Sequence, residues 1–135
     1  MLEAFEEDVN VVVHDATIVD EHLNVLSDSF MKENHSSAGT IKNIIRNRYI
    51  GCCMAFKAEM KKNILPFPEH LPMHDQWIGL VGEKTGKCVF LNKQLILYRR
   101  HGDTVTGEAS TFSQKLKWRF EIIQALHQKK SIRGN

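Results

Sequence analysis

The sequence predicts a layered α/β fold, in which helices cover a sheet. Runs of β-branched and other apolar residues, typical of buried strands, alternate with segments whose apolar residues recur every three or four positions. The chain has 135 residues, 42% of them hydrophobic and 25% charged, which is the size and composition of one globular domain. No run approaches the roughly 20 apolar residues that a membrane-spanning helix needs.

The strands are predicted from apolar runs bounded by turn-forming residues. Val9–Val19 opens with a β-branched run and predicts a buried strand, and residues 20–24 predict the turn that follows it. Further strands are predicted over residues 50–56, 88–91 and 95–100.

Three helices are predicted over residues 40–47, 75–85 and 111–128 from apolar spacing and end signals. Gly86 marks the end of the second helix, and Thr111–Gln114 has the pattern of a capping box that opens the third. Along the third helix one apolar stripe is predicted, made of Phe112, Leu116, Phe120, Ile123 and Leu126.

Charge is distributed unevenly along a chain whose formal net charge is only +2. Residues 1–34 carry nine acidic residues and one basic residue, whereas residues 109–135 carry six basic residues and one acidic residue. A basic later half indicates an anionic ligand or surface, although a solvated, unevenly charged surface explains the same pattern. No aromatic residues interleave a basic stripe, so the sequence does not predict a nucleic-acid-binding protein.

The three cysteines do not form a pattern with a known structural use. Cys52 and Cys53 are neighbours, and no C-x-x-C pair exists, so neither a disulfide framework nor a standard zinc site is predicted. The first eight residues are acidic where a signal or transit peptide would be basic. A reducing, cytoplasmic compartment is therefore the simplest expectation.

The densest group of chemically useful residues is the segment Pro72–Ile78. Asp75 lies where a proline-rich loop meets a predicted helix, and a carboxylate fixed there can accept a proton from a hydroxyl. The alternative interpretation is structural, because Asp is a favoured N-cap residue and Trp77 would then simply be core. The sequence leaves both interpretations open.

Two other groups lie near predicted strand ends. Arg99 and Arg100 carry fork-shaped donors suited to a pyrophosphate, and the imidazole of His101 can bind a divalent cation. A surface strand end with solvated cations is the alternative for this group. The pair His14 and Asp15 is weaker evidence for a site, and a satisfied polar strand end is its favoured interpretation.

Four segments resemble the later half of glycosyltransferase family 2 enzymes of the bacterial polysaccharide-synthesis type. They are YIGCCMAFK at 49–57, LPFP at 65–68, MHDQWIG at 73–79, and LILYRRHG at 95–102 with VTG at 105–107. The resemblance covers about residues 1–107. It implies part of a GT-A fold, with a mixed sheet and covering helices, and without the nucleotide-binding N-terminal half and its Asp-x-Asp metal motif. The chain is then expected to be a fragment that is inactive alone.

The resemblance also assigns roles to individual residues on the acceptor side. Asp75 matches the carboxylate that acts as general base on the acceptor hydroxyl. Trp77 matches an aromatic residue that lines the acceptor site, and His14 and Asp15 would face the acceptor. The residue before the base is His74, where many relatives have an acid, and it receives no catalytic role.

On the donor side, the resemblance assigns Arg99 and Arg100 to the nucleotide diphosphate and makes His101 a candidate metal contact. The intact enzyme is expected to use a divalent metal, Mg or Mn. Its partners would be a nucleotide-sugar donor and a saccharide or lipid-linked acceptor.

Residues 1–107 are therefore predicted to be the C-terminal half of a catalytic domain, and residues 108–135 an amphipathic basic helix. The expected function is sugar transfer in cell-surface polysaccharide synthesis, in the cytoplasm or at the inner face of the membrane. An exposed apolar flank is expected where the other half docks, with peripheral membrane contact and homo-oligomer formation as further expectations. The alternative is a non-catalytic module that binds a saccharide or an anion or serves in assembly.

Overall fold

A four-stranded mixed sheet organises the structure, a computed structural model that describes residues 1–101 and 111–131. In chain order the strands are β1 (Val9–Val19), β2 (Val25–Ser27), β3 (Met54–Phe56) and β4 (Lys87–Arg99). The helices are α1 (Phe30–Asn34), α2 (Thr40–Ile45), α3 (Lys61–Ile64), α4 (His74–Thr85) and α5 (Phe112–Ser131). Short 3₁₀ turns cover Leu2–Ala4, Gly51–Cys53 and Ala58–Met60. The predicted α/β class is confirmed.

The long strand β1 is the centre of the sheet. It pairs in parallel with β4 along its whole length and antiparallel with β2 and β3. Residues 11–13 pair with both β3 and β4, which therefore lie on opposite edges of β1. Ile18 and Val19 pair with both β2 and β4, so β2 also lies on the edge of β1 opposite β4. This is the edge that β3 occupies.

Several predicted elements agree closely with the structure. β1 has the predicted bounds, and α2, α4 and α5 lie within three residues of theirs. The predicted strands 88–91 and 95–100 form a single strand, β4. The pairing of β4 with β1 shifts between Leu91 and Ile96, so the polar residues that suggested two strands mark an irregularity within one.

Other elements differ from the prediction. The predicted strand 50–56 is a 3₁₀ turn at Gly51–Cys53 followed by the short β3, because the amide of Cys53 bonds back to the carbonyl of Ile50. β2 and α1 were not predicted at all. The stretch 102–107, which carries the last part of the resemblance, and the boundary between residues 107 and 108 lie outside the described residues.

Helix α4 packs against the sheet through its buried face, which carries Trp77, Leu80 and Val81 as the spacing predicted. Two glycines on that face allow the close approach. A Cβ at position 79 would fall within the ring of Tyr49, and one at position 82 would overlap the side chain of Val11. Both positions therefore require the absence of a side chain.

Helix α5 joins the same core, but of the predicted stripe only Leu126 takes part. Its core-facing residues are Ile122, Ala125 and Leu126. The other members of the predicted stripe are exposed: Phe112, Leu116, Phe120 and Ile123. The prediction of a single stripe was wrong because α5 has two apolar faces and only one of them meets the core. Further exposed apolar residues lie on β2 and β4, at Val25, Leu26 and Leu97.

The described helices were also compared with the requirements of a membrane span. Among residues 1–101 and 111–131, no helix combines the length and the apolar character needed to cross a bilayer.

Candidate functional site

Asp75 lies in the first turn of α4 and is half-buried. The N-cap of the helix is Met73, so Asp75 does not occupy the capping position that its sequence context suggested. Its Oδ1 accepts hydrogen bonds from the side-chain amide of Asn47 at 3.0 Å and from the backbone amide of Gln76 at 2.8 Å. A carboxylate in the first turn of a helix is also favoured by the helix dipole.

The space over the Asp75 carboxylate is bounded by a glycine. A Cβ built at Gly51 would lie 3.4 Å from the Cβ of Asp75 and 3.8 Å from its Oδ2. Both hydrogen bonds that the carboxylate accepts from the described residues go to Oδ1. The Oδ2 atom is therefore the oxygen with hydrogen-bonding capacity left for a ligand.

A pocket of about 630 Å³ adjoins Asp75 where the end of α2, the start of α4 and the first half of α5 meet. Asn47 lines it, as do Met73 and Gln76, the residues on either side of the His74–Asp75 pair, whereas Asp75 itself is not a lining residue. The rest of the lining comes from Ile44, Ile45, Arg46, Lys115, Trp118 and Arg119. Its volume falls within the usual range for small-molecule sites.

The walls of this pocket depend on Glu83, a residue that the sequence did not single out. Its carboxylate accepts hydrogen bonds from the Tyr49 hydroxyl at 2.6 Å and from the hydroxyl of Thr40, the first residue of α2, at 2.9 Å. Burial, together with the bond to Glu83, raises the pKa of Tyr49 far above its ordinary value, so the phenol stays a neutral donor. Glu83 thus attaches α2 to α4.

Trp77 is placed in the core and not in the lining of the pocket. It is fully buried, and its indole N–H donates to the carbonyl of Ile64 at 3.0 Å. The role that the resemblance assigned to Trp77 would require an accessible ring. The tryptophan that does line the pocket is Trp118, on the basic helix beyond the region of resemblance. The sequence signal that pointed to Trp118 was the amphipathic, basic character of the helix that contains it.

Asp15 lies within β1 and is fully buried. Its carboxylate accepts hydrogen bonds from the Ser29 hydroxyl at 2.5 Å and from the side chain of Gln94 at 3.0 Å. It also accepts from the backbone amides of Met31 at 2.9 Å and Ala16 at 2.8 Å. Desolvation alone would raise the pKa of Asp15, but these hydrogen bonds outweigh it and hold the pKa below its ordinary value.

His14 is buried as well, and its Nδ1 donates to the carbonyl of Asp15 at 2.7 Å. The structure therefore makes Asp15 the residue that holds β1, β4 and α1 together, while His14 bonds only locally, to the backbone of Asp15. Neither side chain is accessible to an acceptor, which corrects the substrate-facing role expected for them.

Arg99, Arg100 and His101 lie at the exposed end of β4. The guanidinium of Arg100 pairs with Glu33 of α1 at 3.1 Å, and both side chains are nearly half-exposed. The same guanidinium lies 6.0 Å from the centre of the Phe30 ring. The Arg100 guanidinium contacts residues of α1, whereas the Asp75 carboxylate contacts Asn47, in the segment before β3. No described contact joins the two groups.

Within residues 1–101 and 111–131, no group of three or more His, Cys, Asp or Glu side chains is arranged to hold a metal ion. His101 would contribute one ligand only, so the residues described here do not by themselves fit a divalent metal.

Comparison of the chain with protein-family models, with curated proteins and with solved structures found no match. The interpretation of the site therefore depends on its own geometry and on the resemblance of the sequence segments.

Proposed function

We propose that this chain is the acceptor-side part of a nucleotide-sugar-dependent glycosyltransferase with a GT-A type of catalytic domain. The observation that carries the proposal is Asp75: a half-buried carboxylate, oriented through Oδ1 by Asn47, beside a pocket large enough for a saccharide. The MHDQWIG segment that carries the resemblance supplies this carboxylate, so both lines of argument meet at one residue.

In this mechanism the acceptor saccharide occupies the pocket and directs a hydroxyl at Oδ2 of Asp75. Asp75 takes the proton as the hydroxyl oxygen attacks the anomeric carbon of the donor sugar. The bond from that carbon to the nucleotide diphosphate breaks, and the diphosphate leaves with the electron pair. The hydrogen bonds to Oδ1 fix the carboxylate, which keeps its free oxygen aimed at the acceptor.

Arg99 and Arg100 are assigned to the departing diphosphate, whose developing charge their guanidinium groups would stabilise. Arg100 is already oriented by Glu33 and Phe30, which limits the rotamer freedom lost on binding. The proposal needs further donor-binding residues and metal ligands besides these, which the resemblance assigns to the N-terminal half of the catalytic domain. No step is attributed to a metal, because the described residues supply His101 alone.

A second candidate function is non-catalytic binding of an anionic saccharide. It is favoured by the three cations that line the pocket, Arg46, Lys115 and Arg119. It differs from the enzyme hypothesis in requiring no donor and no proton transfer. The gene sequence upstream of residue 1 separates the two, since an in-frame strand–helix half with an Asp-x-Asp motif is expected only for the enzyme.

The test of the leading proposal is a transfer assay on the complete reading frame, with a panel of nucleotide sugars and release of nucleotide as the signal. The wild type should release nucleotide faster when an acceptor is added, and Asp75→Asn should not. The control is Asp28→Asn, which makes the same change at an exposed aspartate. Acceptor-dependent release that survives in Asp75→Asn would refute the proposal.

A further inference from the structure

The pocket beside Asp75 is cationic and contains no carboxylate among its lining residues. Arg46, Lys115 and Arg119 reach it from two different helical regions, the end of α2 and the first half of α5. Within the described parts of the chain, none of these three side chains forms an ion pair with an acidic residue. Three basic residues around one cavity raise the local positive potential, which favours the entry of an anion.

The guanidinium of Arg119 is held in place at the edge of the pocket. Its Nε donates to the carbonyl of Ile45 at 3.0 Å, which fixes the plane of the group against the end of α2. The guanidinium of Arg46 donates to the side chain of Asn34 at 3.3 Å. Both guanidinium groups are therefore oriented by neutral oxygens, and no ion pair among the described residues neutralises their charge.

The remaining walls are apolar or aromatic. Ile44, Met73 and Trp118 contribute surfaces against which the carbon face of a sugar ring can pack. Arginine forks match the oxygens of a phosphate ester or a carboxylate, which a neutral sugar lacks. The lining therefore suits a molecule that combines a ring with an anionic group.

We infer that this pocket binds the anionic group of the acceptor, a phosphate ester or carboxylate on a saccharide, between Arg46, Lys115 and Arg119. The choice of an acceptor saccharide rests on the proposed function, whereas the preference for an anion rests on the lining alone. Asn47 lines the pocket and also donates to Asp75, so it is the residue through which a bound acceptor is connected with the carboxylate. The anionic group thus selects the acceptor and fixes its position in the pocket.

The protein contains its own reporter for this site. It has two tryptophans, of which Trp77 is fully buried and Trp118 lines the pocket. Fluorescence of the chain is titrated with glucose 1-phosphate, glucuronic acid, glucose and inorganic phosphate at low and high salt. We expect a saturable change with the two anionic sugars that weakens in salt, a weaker response to inorganic phosphate, and none to glucose. Trp118→Phe should remove the signal.

Arg119→Gln and Lys115→Gln should each weaken binding of the anionic sugars by about tenfold to a hundredfold, because each removes a charge-assisted hydrogen bond. The matched control is Lys93→Gln on β4, which removes one exposed positive charge away from the pocket. Thermal melting checks that each variant is folded. Equal binding of glucose and glucose 1-phosphate, equal weakening by Lys93→Gln, or no saturable response would each overturn the inference.

The transfer assay keeps this inference separate from the proposed function. If Asp75→Asn abolishes transfer while the anionic sugars show no advantage over glucose, the anion subsite fails and the glycosyltransferase proposal stands. If the pocket prefers anionic sugars but transfer does not depend on Asp75, the anion subsite stands and the proposed catalytic role fails.

Discussion

Asp15 and Asp75 are both aspartates with several hydrogen bonds, yet the structure gives them opposite kinds of environment. Asp15 is fully buried in β1, and hydrogen bonds from four different residues occupy both of its oxygens. Asp75 is half-buried, and its bonds from described residues fall on one oxygen. The Asp15 carboxylate therefore stabilises the fold, whereas the Asp75 carboxylate keeps hydrogen-bonding capacity for a ligand.

The difference shows what makes an aspartate a candidate for catalysis. A carboxylate oxygen that accepts no hydrogen bond matters more than the burial of the residue or its neighbours in sequence. His14-Asp15 and His74-Asp75 are the same dipeptide in this chain. Their surroundings in three dimensions, and not the dipeptide, decide that Asp15 stabilises the fold and that Asp75 adjoins a pocket. The predictions for Asp75 and for Asp15 each test one side of this contrast, and the prediction for Arg100 tests the donor side of the proposed mechanism.

The largest effect is expected for Asp75→Asn in the complete enzyme. The amide keeps the shape of the side chain but cannot take a proton, so the acceptor-dependent rate should fall by about 10²–10⁴-fold. Donor binding and the free energy of unfolding should stay near the wild-type values. Steady-state kinetics and denaturant unfolding measure the two quantities, and a rate within a few-fold of wild type would make Asp75 a second structural aspartate.

Arg100→Ala should weaken donor binding by about tenfold to a hundredfold, since a charge-assisted bond to the diphosphate is lost. Arg100→Lys should recover only part of this, because an ammonium group cannot reproduce the fork. The ion pair with Glu33 is nearly half-exposed, so the loss of unfolding free energy should be below about 1 kcal/mol. Calorimetric titration with the nucleotide sugar measures the affinity, and an unchanged value would leave Arg100 a surface ion-pair residue only.

Asp15→Ala should lower the free energy of unfolding by at least about 1–3 kcal/mol, because the buried amides of Ala16 and Met31 lose their acceptor. Asp15→Asn should cost less, since its amide oxygen can still accept both N–H groups. Urea unfolding of the two variants, with Asp75→Asn as the control, measures the difference. If Asp15→Ala leaves the midpoint unchanged, the contrast between the two aspartates is lost.

A smaller effect is expected in the pH dependence of stability. The pKa of Asp15 is lower in the folded chain than its ordinary value of 3.8, so its ionised form stabilises the fold. This contribution is complete above about pH 3.8 and is lost as the pH falls through the lower, folded pKa. Acid unfolding curves of the wild type and Asp15→Asn should therefore converge as the pH falls below that value. A gap that stays constant would contradict the assignment.

Local pattern was enough to predict two of the longer elements, β1 and α4. β1 was predicted from its β-branched run, and α4 from apolar spacing that ends at Gly86, because both signals lie within the element itself. The short elements β2 and α1 have no such signal. The N-cap residue of α1 is Ser29, whose hydroxyl accepts a hydrogen bond from the backbone amide of Lys32. The same hydroxyl donates to Asp15, 14 residues earlier in the chain. A contact between residues that are distant in the chain forms only on folding, so the local sequence does not indicate it.

Local sequence pattern is enough to predict that the chain forms an α/β sheet, that its last helix is basic and partly apolar, and that Asp75 lies near the start of a helix. Tertiary structure alone decided which face of α5 meets the core, because that helix carries two apolar faces and the choice depends on what packs against it. The same choice places Trp118 in the pocket, while Trp77 lies under α3 and serves the core. Periodicity records which residues share a face, whereas accessibility depends on neighbours that are distant in the chain.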